Sequence, residues 1–294
     1  EQSGTRCDYE IIISDNASTD GSQEWLHELE SANPRVRVVF NTANRGFGIA
    51  NNQALPLCQG RHVVFLNSDT LVREPLDALV AAADALGERC GAVAGRVLNA
   101  DGTLQLTARE AYTVPILVAG LTLAFLGIRS RAVRRQELEG WPHDTPRDVA
   151  MLSGCYLLVP RTVLEHVGAF DPNIFLYFDD ADLCYRIRAA GYVVRYEPVS
   201  TITHLDGGQT RAKGLSERIL GYSLWSTRYF ARKYLGRGAA RRVAVSVWLW
   251  WLAMWLALAP AGLLMPLARP RATLRRRARL LRHMLGTLPR QRFP

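Results

Sequence analysis

Along the first hundred residues, apolar and polar positions alternate in blocks that follow two different periods. Residues 9–14 (YEIIIS), 35–40, 62–66 (HVVFL) and 91–98 are short runs rich in β-branched side chains and read as strands. Between them, residues 22–31, 46–57 and 76–86 repeat apolar side chains at helical spacing, with Trp25, Leu26 and Leu29 on one face of the first. Strands that are apolar throughout, alternating with helices, predict an α/β fold: a Rossmann-like, mostly parallel sheet with helices on both faces. Ligands of such sheets bind beyond the carboxyl ends of the strands. The loops that follow strands are therefore where chemistry is sought. Further along, residues 155–159 read as a strand, 161–167 as a helix and 168–172 as a turn. A helix begins near Asp179, and 192–196 and 201–204 read as closing strands. Two stretches carry no charge: 112–128, and 243–268 with Trp248, Trp250, Trp251 and Trp255.

Composition narrows the function classes. The 294 residues, 48% hydrophobic, suffice for one large domain or two small ones and exclude disorder as the main state. The net charge of +9 suggests nucleic acid until the charges are located. Twelve Arg and no acidic residue lie beyond residue 236, which leaves 24 basic against 27 acidic side chains in the body. The body is slightly acidic, so no nucleic-acid partner is expected, and the excess belongs to the end of the chain. Five Cys without a C-x-x-C pair suggest neither a disulfide framework nor a zinc site, and fit a reducing cytoplasm. No signal peptide opens the chain, which begins at Glu1 without Met.

Five segments carry candidate chemistry, each with a plainer reading beside it. DNASTDG (15–21) follows the first strand; Asp15 and the turn N–H groups suit a nucleotide, or equally an Asx-turn and helix cap. NRGFG (44–48) opens a helix, where glycine allows close backbone approach to a phosphate, or simply eases the helix start. Asn67-Ser68-Asp69 ends the apolar strand 62–66, and its carboxylate could hold a divalent metal against a diphosphate, although polar strand ends are common. FDDAD (178–182) places Asp179, Asp180 and Asp182 within four residues. Such a cluster is offset by a helix N-terminus, a metal or a titration role, and one member could be a general base. His204 ends a strand before Gly207-Gly208 and reads as a metal or phosphate ligand, or as a structural histidine.

In this order and spacing the segments resemble family 2 glycosyltransferases of the GT-A fold, particularly the rhamnosyltransferase-like branch that builds bacterial cell-surface glycans. The resemblance covers about residues 9–210 and is carried by EIIISDNASTDGS (10–22), NRGFGIANNQAL (44–55), VVFLNSDT (63–70), LSGCYLLVPR (152–161), VGAFDPNIFLYFDDADLCYRIRAAGY (167–192) and THLDGGQT (203–210). It implies that Asp15 contacts the base of a nucleotide-sugar, with Asn16, Asn44, Gly46 and Asn67 nearby. Asp69 would stand for the final Asp of the D-x-D motif, holding Mg²⁺ or Mn²⁺, with His204 as a further metal or diphosphate ligand. Asp180 matches the Asp of the E-D motif, the general base of an inverting single displacement, with Asp179 and Asp182 as supporting carboxylates. Three departures stand out. Asn67 replaces the first Asp of D-x-D, Asp179 replaces the Glu of E-D, and a further strand is expected before residue 1.

The stretch 243–268 is long enough to cross a bilayer. Basic clusters on both sides oppose a single crossing, and Leu274, Leu281, Leu285 and Leu288 stripe an Arg-rich segment after it. In-plane or re-entrant attachment to an anionic, cytoplasmic membrane face is favoured over a transmembrane helix. The expected organisation is a GT-A domain over 1–210 (nucleotide-sugar half about 1–105, acceptor half about 106–210), a helical linker over 211–242, and an apolar and basic membrane anchor over 243–294. The implied activity is that of a hexosyltransferase-type enzyme moving a sugar such as rhamnose to a lipid-linked or polysaccharide acceptor. The rival reading is a non-catalytic nucleotide-sugar-binding or scaffold protein at the membrane.

Overall fold

The β-branched runs become strands whose ends differ from expectation by a residue or two. In the computed structural model, which describes residues 4–205 and 217–264, β1 (Ile11–Asp15) pairs in parallel with β2 (Val36–Phe40), and α1 (Ser22–Ala32) connects them. α2 (Phe47–Ala54) and a single 3₁₀ turn precede β3 (His62–Leu66) and the short β4 (Thr70–Val72). α3 (Asp77–Leu86) leads into β5 (Cys90–Asn99), the two-residue β6 (Ala108–Arg109), β7 (Arg147–Asp148) and β8 (Met151–Leu152). β9 (Tyr156–Pro160), α6 (Arg161–Val167), α7 (Asp179–Ala189) and β10 (Val193–His204) complete the sheet half. The chain divides into two units: residues 1–111 with 137–212, and 112–136 with 213–294.

The main sheet of the first unit runs β3-β9-β5-β10-β4, with β7 also beside β10. It is more mixed than the sequence predicts. β10 lies parallel to β5, and β3 shares their direction because β9 is antiparallel to both β3 and β5. β4 runs against β10. β4 reverses because the connection from β3, Asn67–Asp69, is too short for a crossover helix, whereas the reversed β9 follows β5 only after a long segment that includes helices. The two expected closing strands form one strand, β10, whose register against β5 shifts between Tyr196 and Thr201. Gly95 makes this irregularity possible, since a Cβ there would lie 2.4 Å from the Ser200 carbonyl oxygen.

Leu79, Ala83 and Leu86 of α3 pack with Val93, Val97, Tyr156, Leu158 and Ile202 in one core cluster. The intervening strand residues Ala92, Ala94, Leu157 and Val159 are buried too. Burial of both alternating sets on β5 and β9 means that this sheet is covered on both faces. All five cysteines are free, as their spacing predicts.

The second unit is helical. It comprises α4 (Val114–Thr122), a 3₁₀ turn at Leu123–Leu126, α5 (Arg131–Gln136), α8 (Glu217–Phe230), a π-helical turn at Ala231–Leu235 and α9 (Arg237–Leu264). Leu117, Leu121, Leu220, Leu224, Phe230, Val247 and Trp251 are buried within it. The charge-free stretch 112–128, placed by sequence inside the acceptor half, thus groups with the C-terminal helices. Among the described residues no helix is long and apolar enough to cross a membrane, so a transmembrane reading of 243–268 finds no support. The Arg-rich segment after residue 264 lies outside the described residues.

Candidate active site

β1 ends on Asp15, which is 5% exposed. Its carboxylate accepts the Ser18 backbone N–H at 3.2 Å and the Gln23 Nε2 at 2.6 Å. Burial alone would raise its pKa, but the hydrogen bonds from Ser18 and Gln23 outweigh it and hold the carboxyl below the usual range. This is the Asx-turn geometry that the sequence allows. Next to it, Asn16 Nδ2 donates to Asn44 Oδ1 at 3.1 Å and to the Gly46 carbonyl at 3.2 Å, while Asn16 Oδ1 accepts the Arg45 N–H. Asn44 Oδ1 also accepts the Gly46 N–H at 3.0 Å. Asn16, Asn44 and Gly46 therefore form one cluster at the end of β1.

A second cluster forms where β3 and β10 end. β4 returns antiparallel to β10 and sets Thr70 opposite His204, with Asp69 one residue away. His204 Nε2 lies 3.0 Å from Asp69 Oδ1 and 3.3 Å from Asn67 Nδ2. His204 Nδ1 lies 3.1 Å from Gln105 Oε1. Each ring nitrogen faces an acceptor oxygen, Nε2 that of Asp69 and Nδ1 that of Gln105, so a proton on either one is satisfied. Nε2 and the Asp69 carboxylate face each other at hydrogen-bond distance, and a divalent cation would take the place of a proton shared between them. The donor set, one carboxylate oxygen and one imidazole nitrogen, suits Mg²⁺ or Mn²⁺ completing its shell with phosphate oxygens and water. No group of three or more His, Cys, Asp or Glu among the described residues makes an all-protein cage.

The third cluster is the start of α7. Tyr177 and Phe178 precede it with φ of 64° and 66°, a left-handed pair in non-glycine residues that costs about 1–3 kcal/mol each. This turn delivers Asp179 and Asp180 to the helix N-terminus. Asp180 Oδ2 accepts the Gly154 N–H at 3.1 Å and Oδ1 accepts the Ala181 N–H at 2.7 Å. Burial pushes the Asp180 carboxyl up, against the Gly154 hydrogen bond and the Arg109 charge. Asp179 is pushed up to about 7 by burial and by Asp180 beside it. Asp182 is fully buried and turns to Arg186, whose Nε donates at 2.8 Å while the rest of the guanidinium caps the carbonyls of Val167, Gly168 and Ala169. Its role is to hold α7 against the end of α6.

Backbone contacts join the three clusters. The Gly154 N–H binds Asp180, and the carbonyl of the next residue, Cys155, accepts the Asn67 N–H at 3.2 Å. The Cys155 thiol, pushed up to about 11 mainly by burial, is raised further by both Asp180 and Asp69. Gly46, with φ +88°, leaves no room for a side chain, because a Cβ would lie 2.2 Å from the Phe175 carbonyl oxygen. A Cβ on Gly48 would lie 4.0 Å from that of Asp179. The residues that follow β1 and β3, the end of β10 and the start of α7 thus converge. Gln105 and Gly154 were not singled out by sequence. Gln105 has no motif around it and reaches His204 only because the turn after β5 reverses the chain, with Leu98 bridged to Leu104.

The fold and this site define a GT-A-type α/β protein. Residues 1–166 match the family model described as glycosyl transferase family 2. The chain belongs to the family 2 glycosyltransferases. It is 30% identical over 212 residues to the N-acetylglucosaminyl-diphospho-decaprenol L-rhamnosyltransferase of Mycobacterium tuberculosis, covering 66% of this chain and 66% of that protein's length. It is 26% identical over 196 residues to the rhamnosyltransferase WbbL of Escherichia coli, covering 64% of this chain and 71% of the relative. Among solved structures, GalNAc-T7 with UDP, GalNAc and Mn²⁺ aligns with a TM-score of 0.50 at 18% identity, covering 78% of this chain and 45% of that one, a likeness of fold.

Proposed function

We propose that this protein transfers a sugar, rhamnose from dTDP-rhamnose as the leading donor, to a lipid-linked acceptor in cell-surface glycan synthesis, with inversion at the anomeric carbon. The observation that carries the reading is that the Asp180 carboxylate and the backbone of Asn67, which leads into the Asp69–His204 pair, are held on adjacent backbone residues, 154 and 155. The acceptor class is supported by the name of the mycobacterial relative, a diphospho-decaprenol rhamnosyltransferase.

In this reading Asp180 takes the proton from the acceptor hydroxyl as its oxygen bonds to the anomeric carbon. The bond from that carbon to the nucleoside diphosphate breaks as the new one forms. The Gly154 N–H holds one carboxylate oxygen of Asp180, which fixes its aim. Asp69 and His204 would hold the divalent metal, which supplies charge stabilisation for the leaving diphosphate. The Asn16–Asn44–Gly46 cluster and Asp15 would hold the nucleotide. The workplace is the cytoplasmic face of a membrane.

The test is rhamnosyl transfer from dTDP-rhamnose to N-acetylglucosaminyl-diphospho-polyprenol, with the product's anomeric configuration read by NMR. Transfer with inversion that is lost in Asp180→Asn and on chelation supports the reading. Donor binding without transfer to any membrane lipid extract would leave a non-catalytic binding protein instead.

A further inference from the structure

Helix α9 is apolar on two faces, and only one of them is covered. Val243, Val247 and Trp251, four residues apart, are buried, and α9 packs against α4 and the π-helical turn. On the opposite side Val245, Leu249 and Leu256 are 48%, 53% and 57% exposed. Arg237, Arg241 and Arg242 stand exposed at the start of the same helix. Glu217 is the last acidic residue of the chain, and sixteen Lys and Arg follow it. An apolar stripe of this size beside charge of a single sign marks an interaction surface.

We propose that α9 lies in the plane of an anionic lipid bilayer. Val245, Leu249 and Leu256 enter the boundary between headgroups and acyl chains, and Arg237, Arg241 and Arg242 engage the headgroup phosphates. Charge complementarity selects the occupant, because the segment presents cations and no carboxylate to an anionic surface. The exposed leucines exclude nucleic acid as its partner, since phosphate contacts leave such side chains in water. Protein on the inner face leaves α9 half free, which suits lying on a surface. The functional meaning rests on the lipid-linked-acceptor reading, because a docked enzyme meets its acceptor in two dimensions; the lipid contact is tested separately from it.

The experiment floats the full chain with vesicles of phosphatidylcholine alone or mixed with phosphatidylglycerol, and assays rhamnosyl transfer to a detergent-solubilised acceptor in parallel. Binding is expected only with the anionic lipid and should weaken as salt rises. Leu249→Glu with Leu256→Glu should lower binding by about tenfold or more. Arg241→Glu with Arg242→Glu should do the same, while the double Lys replacement retains binding. These side chains are exposed, so thermal unfolding and detergent-phase transfer should match the wild type. Equal binding to neutral vesicles, unchanged flotation of the leucine variant, or resistance to a carbonate wash would each overturn the proposal. Flotation without any transfer would overturn the acceptor reading and leave the docking surface standing.

Discussion

Replacing Asp179 by Asn should stabilise the protein in alkali by an amount that fades on acidification. The carboxyl is 7% exposed, sits beside Asp180 and opposite Gly48, and has its pKa raised from 3.8 to about 7. Between those values the folded chain holds a proton that the unfolded chain has lost, so ionising Asp179 opposes folding. A rise of about three units at 1.36 kcal/mol each sets a ceiling of about 4 kcal/mol on that cost at pH 8. Asn carries no charge and escapes it, and imperfect hydrogen bonding of the new amide leaves an expected gain of about 2–4 kcal/mol. As the pH falls to 5, the wild-type protein regains about 2–3 kcal/mol by binding its proton, and near pH 4 the advantage of the variant is almost gone. Urea unfolding of both proteins at pH 8, 6.5 and 5 measures the difference, in which the titration of carboxylates other than the neighbouring Asp180 cancels. A difference independent of pH, or one that grows toward acid, would refute a raised Asp179.

Asp180→Asn should lower sugar transfer by about 10²- to 10⁴-fold while nucleotide affinity stays unchanged, measured by product formation and calorimetry; a fully active variant removes the base assignment. The acid limb of the wild-type pH–rate profile should lie above the ordinary carboxylate value, since burial raises Asp180; a limb at or below that value contradicts this. Gly46→Ala meets the Phe175 carbonyl at 2.2 Å from a φ of +88° and should cost about 3 kcal/mol or more. Urea unfolding checks it, and a loss under about 1 kcal/mol would mean that the two loops do not pack as described. Gln105→Leu should weaken Mn²⁺ binding by about 10- to 100-fold in an EPR titration, whereas Gln105→Glu, still an acceptor for Nδ1–H, should retain it. Equal weakening in both variants would refute Gln105 as the acceptor that orients His204.

Much of the first unit was legible because its elements are locally encoded. HVVFL at 62–66 and the helix at 161–167 fall where periodicity places them, and the residues that follow strands are those that converge. Strand direction was not legible. Residues 156–160 read as any apolar strand, and their antiparallel place between β3 and β5 is set by non-local pairing that no local period reveals. Nor could spacing show that 112–128 belongs with the C-terminal helices, because an apolar helix looks alike whichever core receives it. Within FDDAD, helical spacing put Asp179 and Asp182 on one face, but only the fold separates their work. Asp182 is neutralised by Arg186, while Asp179 shares its environment with Asp180.

The substitution of Asn67 for the first carboxylate of a D-x-D motif takes on a physical sense from the contacts of His204. An aspartate at that position would add a third acceptor beside Nε2 and Asp69. Asn67 instead offers Nδ2 at 3.3 Å from Nε2, while Gln105 Oε1 lies 3.1 Å from Nδ1. The two amides brace the ring at both nitrogens, so that Nε2 is held toward the Asp69 carboxylate. The site gives up one charge and gains an oriented imidazole. If the site holds a cation as proposed, its affinity would depend on two neutral side chains, Asn67 and Gln105, as much as on the single carboxylate. Asn67→Asp should therefore raise Mn²⁺ binding by less than a second carboxylate ligand would bring, because the ring loses the amide beside Nε2; a rise of about a hundredfold in an EPR titration would refute this.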